Sequence, residues 1–277
     1  LTSKYNILFN ANENYKKGLS LLEKNIKNDY TKILPILIGG DEKSAQIVSS
    51  NMDITIKKCE KLITLHSITA KPKINTSKTL TPKQRDYLNK REYNSLIDET
   101  YLLMAKAYYY KNEKEKSLKI LQFIINEYDD KNTILESKIW LARIYTENNS
   151  LLEAKDIIEN LDIKKISSKK LLKEYHLVKA NYLLNQKNYI QAINEIKSAI
   201  EFENRNYYKS RYYFIVGQLY NLIGNSKMAI ESFTKVLKLK PAYEMFFYSQ
   251  INMALSYQKG YFSIKEIEKN LLKMLND

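Results

Sequence analysis

The sequence predicts an all-α protein built by repetition, and three observations predict it. Leu, Ile, Lys, Glu, Ala and Tyr dominate, while 6 Gly and 4 Pro in 277 residues leave few of the tight turns a sheet needs. Small residues recur at a fixed interval: Ala105, Ala142, Ala180, Gly217 and Ala254 lie 37 or 38 residues apart. A second small residue follows in the first four units, Ser117, Ala154, Ala192 and Ala229, each with a larger apolar residue four further on, Leu121, Ile158, Ile196 and Phe233.

Taken in order, the chain opens with apolar residues at helical spacing over about 5–26, from Tyr5 and Phe9 to Leu19 and Leu22, and a second helix is expected over about 44–66. Together they make a divergent hairpin, 1–66, joined by "NDYTKILPILIGGDEKS". Pro35, Gly39 and Gly40 break the helix there, whereas Ile33, Leu34, Ile36 and Leu37 demand burial, so this loop is expected to pack onto the hairpin. Residues 67–97 carry Pro72, Pro82 and many Ser, Thr and Lys, and read as an exposed linker loop. Four helical repeats follow over 98–246, and 247–277 begins a fifth.

The pattern of the repeats resembles the tetratricopeptide repeat, whose period is about 34 residues with two antiparallel helices per unit. Small side chains let the two helices approach, and the residues three positions after the first small one, Tyr108, Tyr145, Leu183, Tyr220 and Tyr257, fill the grooves between units. The fourth unit matches most fully, with Gly217, Tyr220, Ala229, Phe233 and Pro241 in place. The resemblance implies a right-handed solenoid with a concave face, and turns that absorb the extra residues.

Several function classes find no support. The chain has no nucleophile elbow, dinucleotide fingerprint, phosphate loop or zinc-protease motif, and its carboxylates are scattered as on solvated helix faces, so no enzyme is expected. One cysteine, Cys59, and two histidines, His66 and His176, provide neither an intrachain disulfide nor a metal-ligand set, and no cofactor is implied. The longest strongly apolar run, "ILPILI" at 33–38, is far short of the ~20 residues a membrane span requires. A formal charge of +14 favours anionic partners, although lysine is in excess along the whole chain.

By the tetratricopeptide resemblance, the first helix of each repeat lines the groove. The candidate partner-binding residues are Leu102, Lys106 and Tyr109, then Ile139 and Arg143, then Leu177 and Asn181, then Phe214, Gln218 and Asn221. The apolar row Leu102, Ile139, Leu177 and Phe214 stands where carboxylate-clamp members of the family carry polar residues, so no such clamp is expected. The row suits a partner's helix or extended segment, or equally the packing of a neighbouring helix of this chain. A second candidate is the basic stretch 71–91, with Lys83, Arg85, Lys90 and Arg91, either as an anionic docking surface or as plain solvated charge. Basic and aromatic residues do not recur together on one face, so nucleic acid is not the expected partner.

The order of segments adds a narrower resemblance. "YNILFNANENYKKGLSLLE", then "DYTKILPIL", "NMDITIKKCEKLITLHSI" and "REYNSLIDETYLLMAKAYYYKNEKEKSLKILQFIINEY" resemble the N-terminal region of the SprE/PorW family, large tetratricopeptide lipoproteins of Bacteroidetes. That resemblance implies a periplasmic, outer-membrane-anchored scaffold of type IX secretion and gliding, linking PorK/PorN-type (GldK/GldN-type) ring subunits to the SprA/Sov-type translocon. It also implies a lipid-bearing cysteine upstream of Leu1 and further repeats after Asp277. Two alternatives stay open: an outer-membrane assembly lipoprotein of the BamD type, and a helical-repeat nucleic-acid-binding protein.

Overall fold

The computed structural model describes residues 2–72 and 81–257, together with 265, 268, 269 and 272. Among the described residues there are helices and connections but no strand. The helices are α1 (Thr2–Asn25), α2 (Glu42–His66), α3 (Pro82–Leu88), α4 (Ile97–Tyr110), α5 (Lys114–Glu127), α6 (Lys131–Glu147), α7 (Leu151–Asn160), α8 (Lys169–Asn185), α9 (Tyr189–Glu201), α10 (Asn206–Leu222), α11 (Ser226–Lys238) and α12 (Tyr243–Ser256). No helix among them is long and apolar enough to cross a membrane. The expected all-α repeat architecture is present: α4/α5, α6/α7, α8/α9 and α10/α11 are the four helical pairs.

The small residues of the repeat sit where these pairs touch. Ala105, Ala180, Ser117, Ala154, Ala192 and Ala229 are completely buried, and so are Leu121, Ile196 and Phe233, the residues that fill the adjoining space. Each pair is joined by the same tight turn. Asn112, Asn149, Lys187 and Gly224 take positive φ, and the N–H groups of Glu113, Ser150, Asn188 and Asn225 reach back to the carbonyls of Tyr108, Tyr145, Leu183 and Tyr220 at 2.8 to 2.9 Å. The left-handed residue ends the first helix and the six-to-one hydrogen bond satisfies its last carbonyls. Because the turn within a pair is constant, length differences fall between pairs: Tyr128–Asp130 is a short connection, whereas Leu161–Ser168 is longer and contains a 3-10 turn, Ile163–Lys165.

The chain divides into two compact units, one of Leu1–Ile26 with Ile38–Leu161, the other of Lys27–Leu37 with Asp162–Asp277. In the first unit α1 packs on α2, α2 on α4, and the stack continues through α7. Its core joins Leu8, Val48, Met52, Cys59, Leu62, Ile97, Leu121 and Trp140. Burial raises the Cys59 thiol to about 12, which makes it a packing residue. The second unit stacks α8 to α12, with Ile193, Ile196, Phe214, Ile215, Phe233 and Val236 inside. The second helix expected of a fifth repeat falls largely outside the described residues.

Two sequence expectations need correction. The "ILPIL" loop does not stay with its hairpin: Lys27–Leu37 belongs to the second unit, and the chain rejoins the first at Ile38. Its apolar demand is met selectively, since Leu34 and Ile36 are buried while Ile33 is exposed. The linker is not a plain loop either. Thr81 and Gln84 form a capping box and Pro82 opens α3, so seven residues of the stretch are helical. Its base is closed by Glu92, which accepts from Ser67 Oγ and the Ile68 N–H, and by Asn94, which donates to the His66 carbonyl at 2.8 Å.

Candidate functional site

The first helices of the repeats were expected to offer an open groove, and in both units part of that surface already holds polypeptide. In the second unit the occupant is the segment from Asn28 to Pro35. Gln218 reads its backbone from α10: Oε1 accepts the Leu34 N–H at 3.0 Å, and Nε2 donates to the Lys32 carbonyl at 2.6 Å. Two turns away Arg211 is completely buried and donates to Asn28 Oδ1 at 2.6 Å and to the Pro35 carbonyl at 2.7 Å. Burial lowers the guanidinium's affinity for its proton, and these oxygens answer its two Nη groups while the buried Nε has no hydrogen-bond partner. Phe214, between the two, meets the ring of Tyr30 edge-on at 5.4 Å. Asn221 accepts from Ser256 Oγ at 2.7 Å, a bond between helices α10 and α12.

In the first unit the same positions hold the end of that loop. Arg143 donates to the Ile38 carbonyl at 2.9 Å and, through Nε, to the Tyr109 hydroxyl at 3.0 Å, and it lies over the Tyr109 and Trp140 rings at 4.4 and 4.9 Å. The Tyr109 oxygen stands 2.9 Å from the Gly39 carbonyl and 2.7 Å from Glu147, which balances Arg143. Burial pushes the Tyr109 hydroxyl well above its usual range, so it remains a donor. Only glycine fits the approach: Gly39 and Gly40 have φ of 96° and 80°, and a β-carbon on Gly40 would fall 2.3 Å from the Tyr109 hydroxyl.

The predicted apolar row therefore faces inward. Leu102, Ile139, Leu177 and Phe214 are all buried, which leaves none of them as a freely presented anchor. The reason is plain in the energetics, since each would expose a large apolar surface unless a neighbouring element covered it. Lys106 pairs with Glu136 and lies beside Trp140, and Asn181 is half-buried. Of the basic linker, Lys83, Arg85 and Lys90 are exposed, Arg91 pairs with Glu127, and Lys73 and Lys78 lie outside the described residues.

Sequence reasoning missed the groove's occupant and also an open polar pocket of about 600 Å³ in the first unit, lined by Asp98, Glu99, Asp130, Thr133 and Glu136 among others. The available signals were the unsatisfied apolar demand of "ILPIL" and the acidic residues in the first turn of α4, Asp98 and Glu99.

Residues 210–243, which span Gly217 to Pro241 of the fourth pair, match the tetratricopeptide repeat family. The fold is an all-α tetratricopeptide solenoid. Among solved structures, the chain is similar to the C-terminal part of a TPR repeat-containing protein from Cytophaga hutchinsonii, with a TM-score of 0.50 and 12% identity over 98% of this chain and 93% of that one. It also shows similarity to the MamA protein, with a TM-score of 0.47, 17% identity and coverage of 65% and 90%. For a tetratricopeptide repeat protein from Parabacteroides merdae the TM-score is 0.35 at 14% identity, with coverage of 85% and 97%. No curated protein matches the chain.

Proposed function

We propose that this protein is a non-enzymatic scaffold that binds other polypeptides through its helical repeats, and that it serves in a type IX secretion machine of the SprE/PorW kind. One observation carries the binding reading: α10, the first helix of the fourth pair, grips a non-helical segment of this chain through its backbone, with Gln218 on Leu34 and Lys32 and Arg211 on Pro35. Backbone recognition by a fixed amide and a guanidinium suits extended polypeptide in general. The secretion assignment is supported by the order of the opening segments, from "YNILFNANENYKKGLSLLE" to "REYNSLIDETYLLMAKAYYY". In that setting its partners are PorK/PorN-type ring subunits and the SprA/Sov-type translocon, and its place is the periplasmic side of an outer membrane.

The test is cross-linked affinity purification of the full-length protein from its own cells, with co-purifying proteins identified by mass spectrometry. Recovery of ring and translocon subunits is the expected result. Enrichment of outer-membrane assembly factors would replace this assignment with the BamD-type one, and steeply salt-dependent retention of RNA or DNA would replace it with the nucleic-acid reading.

A further inference from the structure

Between α2 and α4 the chain makes an excursion that ends where it began. The Tyr93 N–H donates to the Ile68 carbonyl at 2.9 Å, and Asn94 donates to the His66 carbonyl at 2.8 Å, so the two ends are tied together. The stack does not need what lies between them, because α2 packs directly on α4.

Within the excursion, α3 is unlike the other α-helices. Each of those packs on a neighbour and buries residues there, whereas α3 buries none and every residue from Thr81 to Tyr87 is exposed. A seven-residue helix has little stability of its own in water. What holds α3 is local. The Thr81–Gln84 capping box fixes one end, and at the other the Tyr93 hydroxyl donates to the Leu88 carbonyl at 3.1 Å while its ring meets Tyr87 edge-on at 5.2 Å. The helix is thus fastened at its base while its surface stays uncovered.

That surface is basic. Residues 81–91 carry Lys83, Arg85, Lys90 and Arg91 against Asp86 alone. Arg91 is answered by Glu127, but Lys83, Arg85 and Lys90 have no carboxylate partner among the described residues. The complementary occupant is anionic, and the neighbouring charge narrows its class. Lys90 and Arg91 also line the open pocket where α4 and α6 begin, and seven residues of that lining are carboxylates. A nucleic acid or an anionic bilayer is a continuous run of negative charge and meets that repulsion, whereas a polypeptide can place a short acidic stretch on α3 and end it there. A bilayer also finds no apolar face, since Pro82, Tyr87 and Leu88 are the apolar residues of α3.

We infer that Thr81–Arg91 is a docking arm for a short Asp- or Glu-rich segment of a partner polypeptide, with Lys83, Arg85 and Lys90 as its cationic contacts. It goes beyond the reading above, because the contact lies outside the repeats and does not use their groove.

The test uses the full chain at physiological salt and a fluorescein-labelled Gly-Ser peptide carrying four glutamates, beside the same peptide carrying four glutamines. Anisotropy reads affinity, and backbone amide NMR shifts locate the contact. One variant combines Lys83→Gln, Arg85→Gln and Lys90→Gln. A control removes the same charge at three exposed lysines elsewhere, by Lys57→Gln, Lys61→Gln and Lys227→Gln. The expected result is binding of the glutamate peptide with shifts between Lys83 and Lys90, and about tenfold or greater weakening with the glutamine peptide or the arm variant but not with the control. Equal binding of the glutamine peptide, no binding, or equal weakening by both variants would overturn the inference, the last in favour of net charge alone. Tighter binding of a short single-stranded DNA or of phosphatidylglycerol vesicles, lost in the arm variant, would overturn it in favour of nucleic acid or a membrane surface. If the arm variant does not fold, the amide shifts of the unaltered protein decide: shifts elsewhere remove the arm.

Discussion

A β-carbon placed on Gly217 would lie 2.6 Å from Cζ of Phe233, and all three of its nearest neighbours are atoms of that ring. Phe233 is completely buried and meets Phe214 edge-on at 5.3 Å, so the ring has nowhere to retreat. Gly217→Ala should therefore destabilise the second unit by about 1–3 kcal/mol. A helix-propensity gain of about 1 kcal/mol works against this loss. Adding Phe233→Leu should recover part of it, which chemical denaturation of the single and double variants can measure. Additive losses would contradict the close approach of α10 and α11.

The amide of Gln218 makes its bonds only if the segment from Asn28 to Pro35 stays seated. Gln218→Leu keeps the bulk and removes them, leaving buried backbone groups without partners. Hydrogen exchange at the Leu34 amide should quicken by about tenfold or more. Trypsin cleavage at the exposed Lys32 should become easier at the same time. Unchanged protection would show that apolar burial of Leu34 and Ile36 alone retains the segment.

Lys187 takes a φ of 60° at the turn position that Gly224 fills in the next pair. An L side chain is strained there, so Lys187→Gly should raise stability by up to about 1 kcal/mol. The reverse exchange, Gly224→Ala, should cost about 1 kcal/mol. That loss would be backbone strain alone, because nothing lies within 4 Å of the added β-carbon. Thermal melts of both variants check the pair, and shifts of the same sign would contradict a shared turn geometry.

Glu203 accepts from Lys173 Nζ at 2.8 Å and from the N–H groups of Asn204 and Arg205 at 2.9 Å. Burial pushes its carboxyl up, but Lys173 and the backbone donors outweigh burial and hold it below the ordinary 4.5. A depressed carboxyl contributes stability above the ordinary value and loses it as pH falls through the folded one. Glu203→Gln should thus cost about 1–3 kcal/mol at neutral pH. The gap between variant and parent should close as the solution is acidified below 4.5. Denaturation curves across that range test the sign, and a gap that widens on acidification would refute it.

The repeat register was legible because its chemistry is local. Ala105, Ala142, Ala180 and Gly217 mark the helix contacts by size alone, and the interval between them equals the interval between the four left-handed turn residues to within one position. The hairpin helices were readable for the same reason, from apolar residues at helical spacing. The destination of "ILPIL" was not legible. Its composition states that Leu34 and Ile36 need cover, yet the cover comes from α10, and Leu34 bonds to a residue 184 positions away. Gln218 and Arg211 carry no mark in sequence that separates a groove holding its own chain from one awaiting another. Helix α3 was hidden inside a basic, proline-containing stretch, although Thr81, Pro82 and Gln84 spell its cap. Asp98 looked like an ordinary first-turn acid, and only its burial set it apart.

The return of Lys27–Leu37 to the C-terminal repeats bears on the order of events during synthesis. A nascent chain has every residue of the first unit once Leu161 is made, but those eleven residues must then wait until α10 emerges. Closing so long a loop is slow because its entropy is lost before its contacts form. The segment from Asn28 to Pro35 therefore has no partner until α10 is made, and during that interval its apolar residues are open to chaperones and proteases.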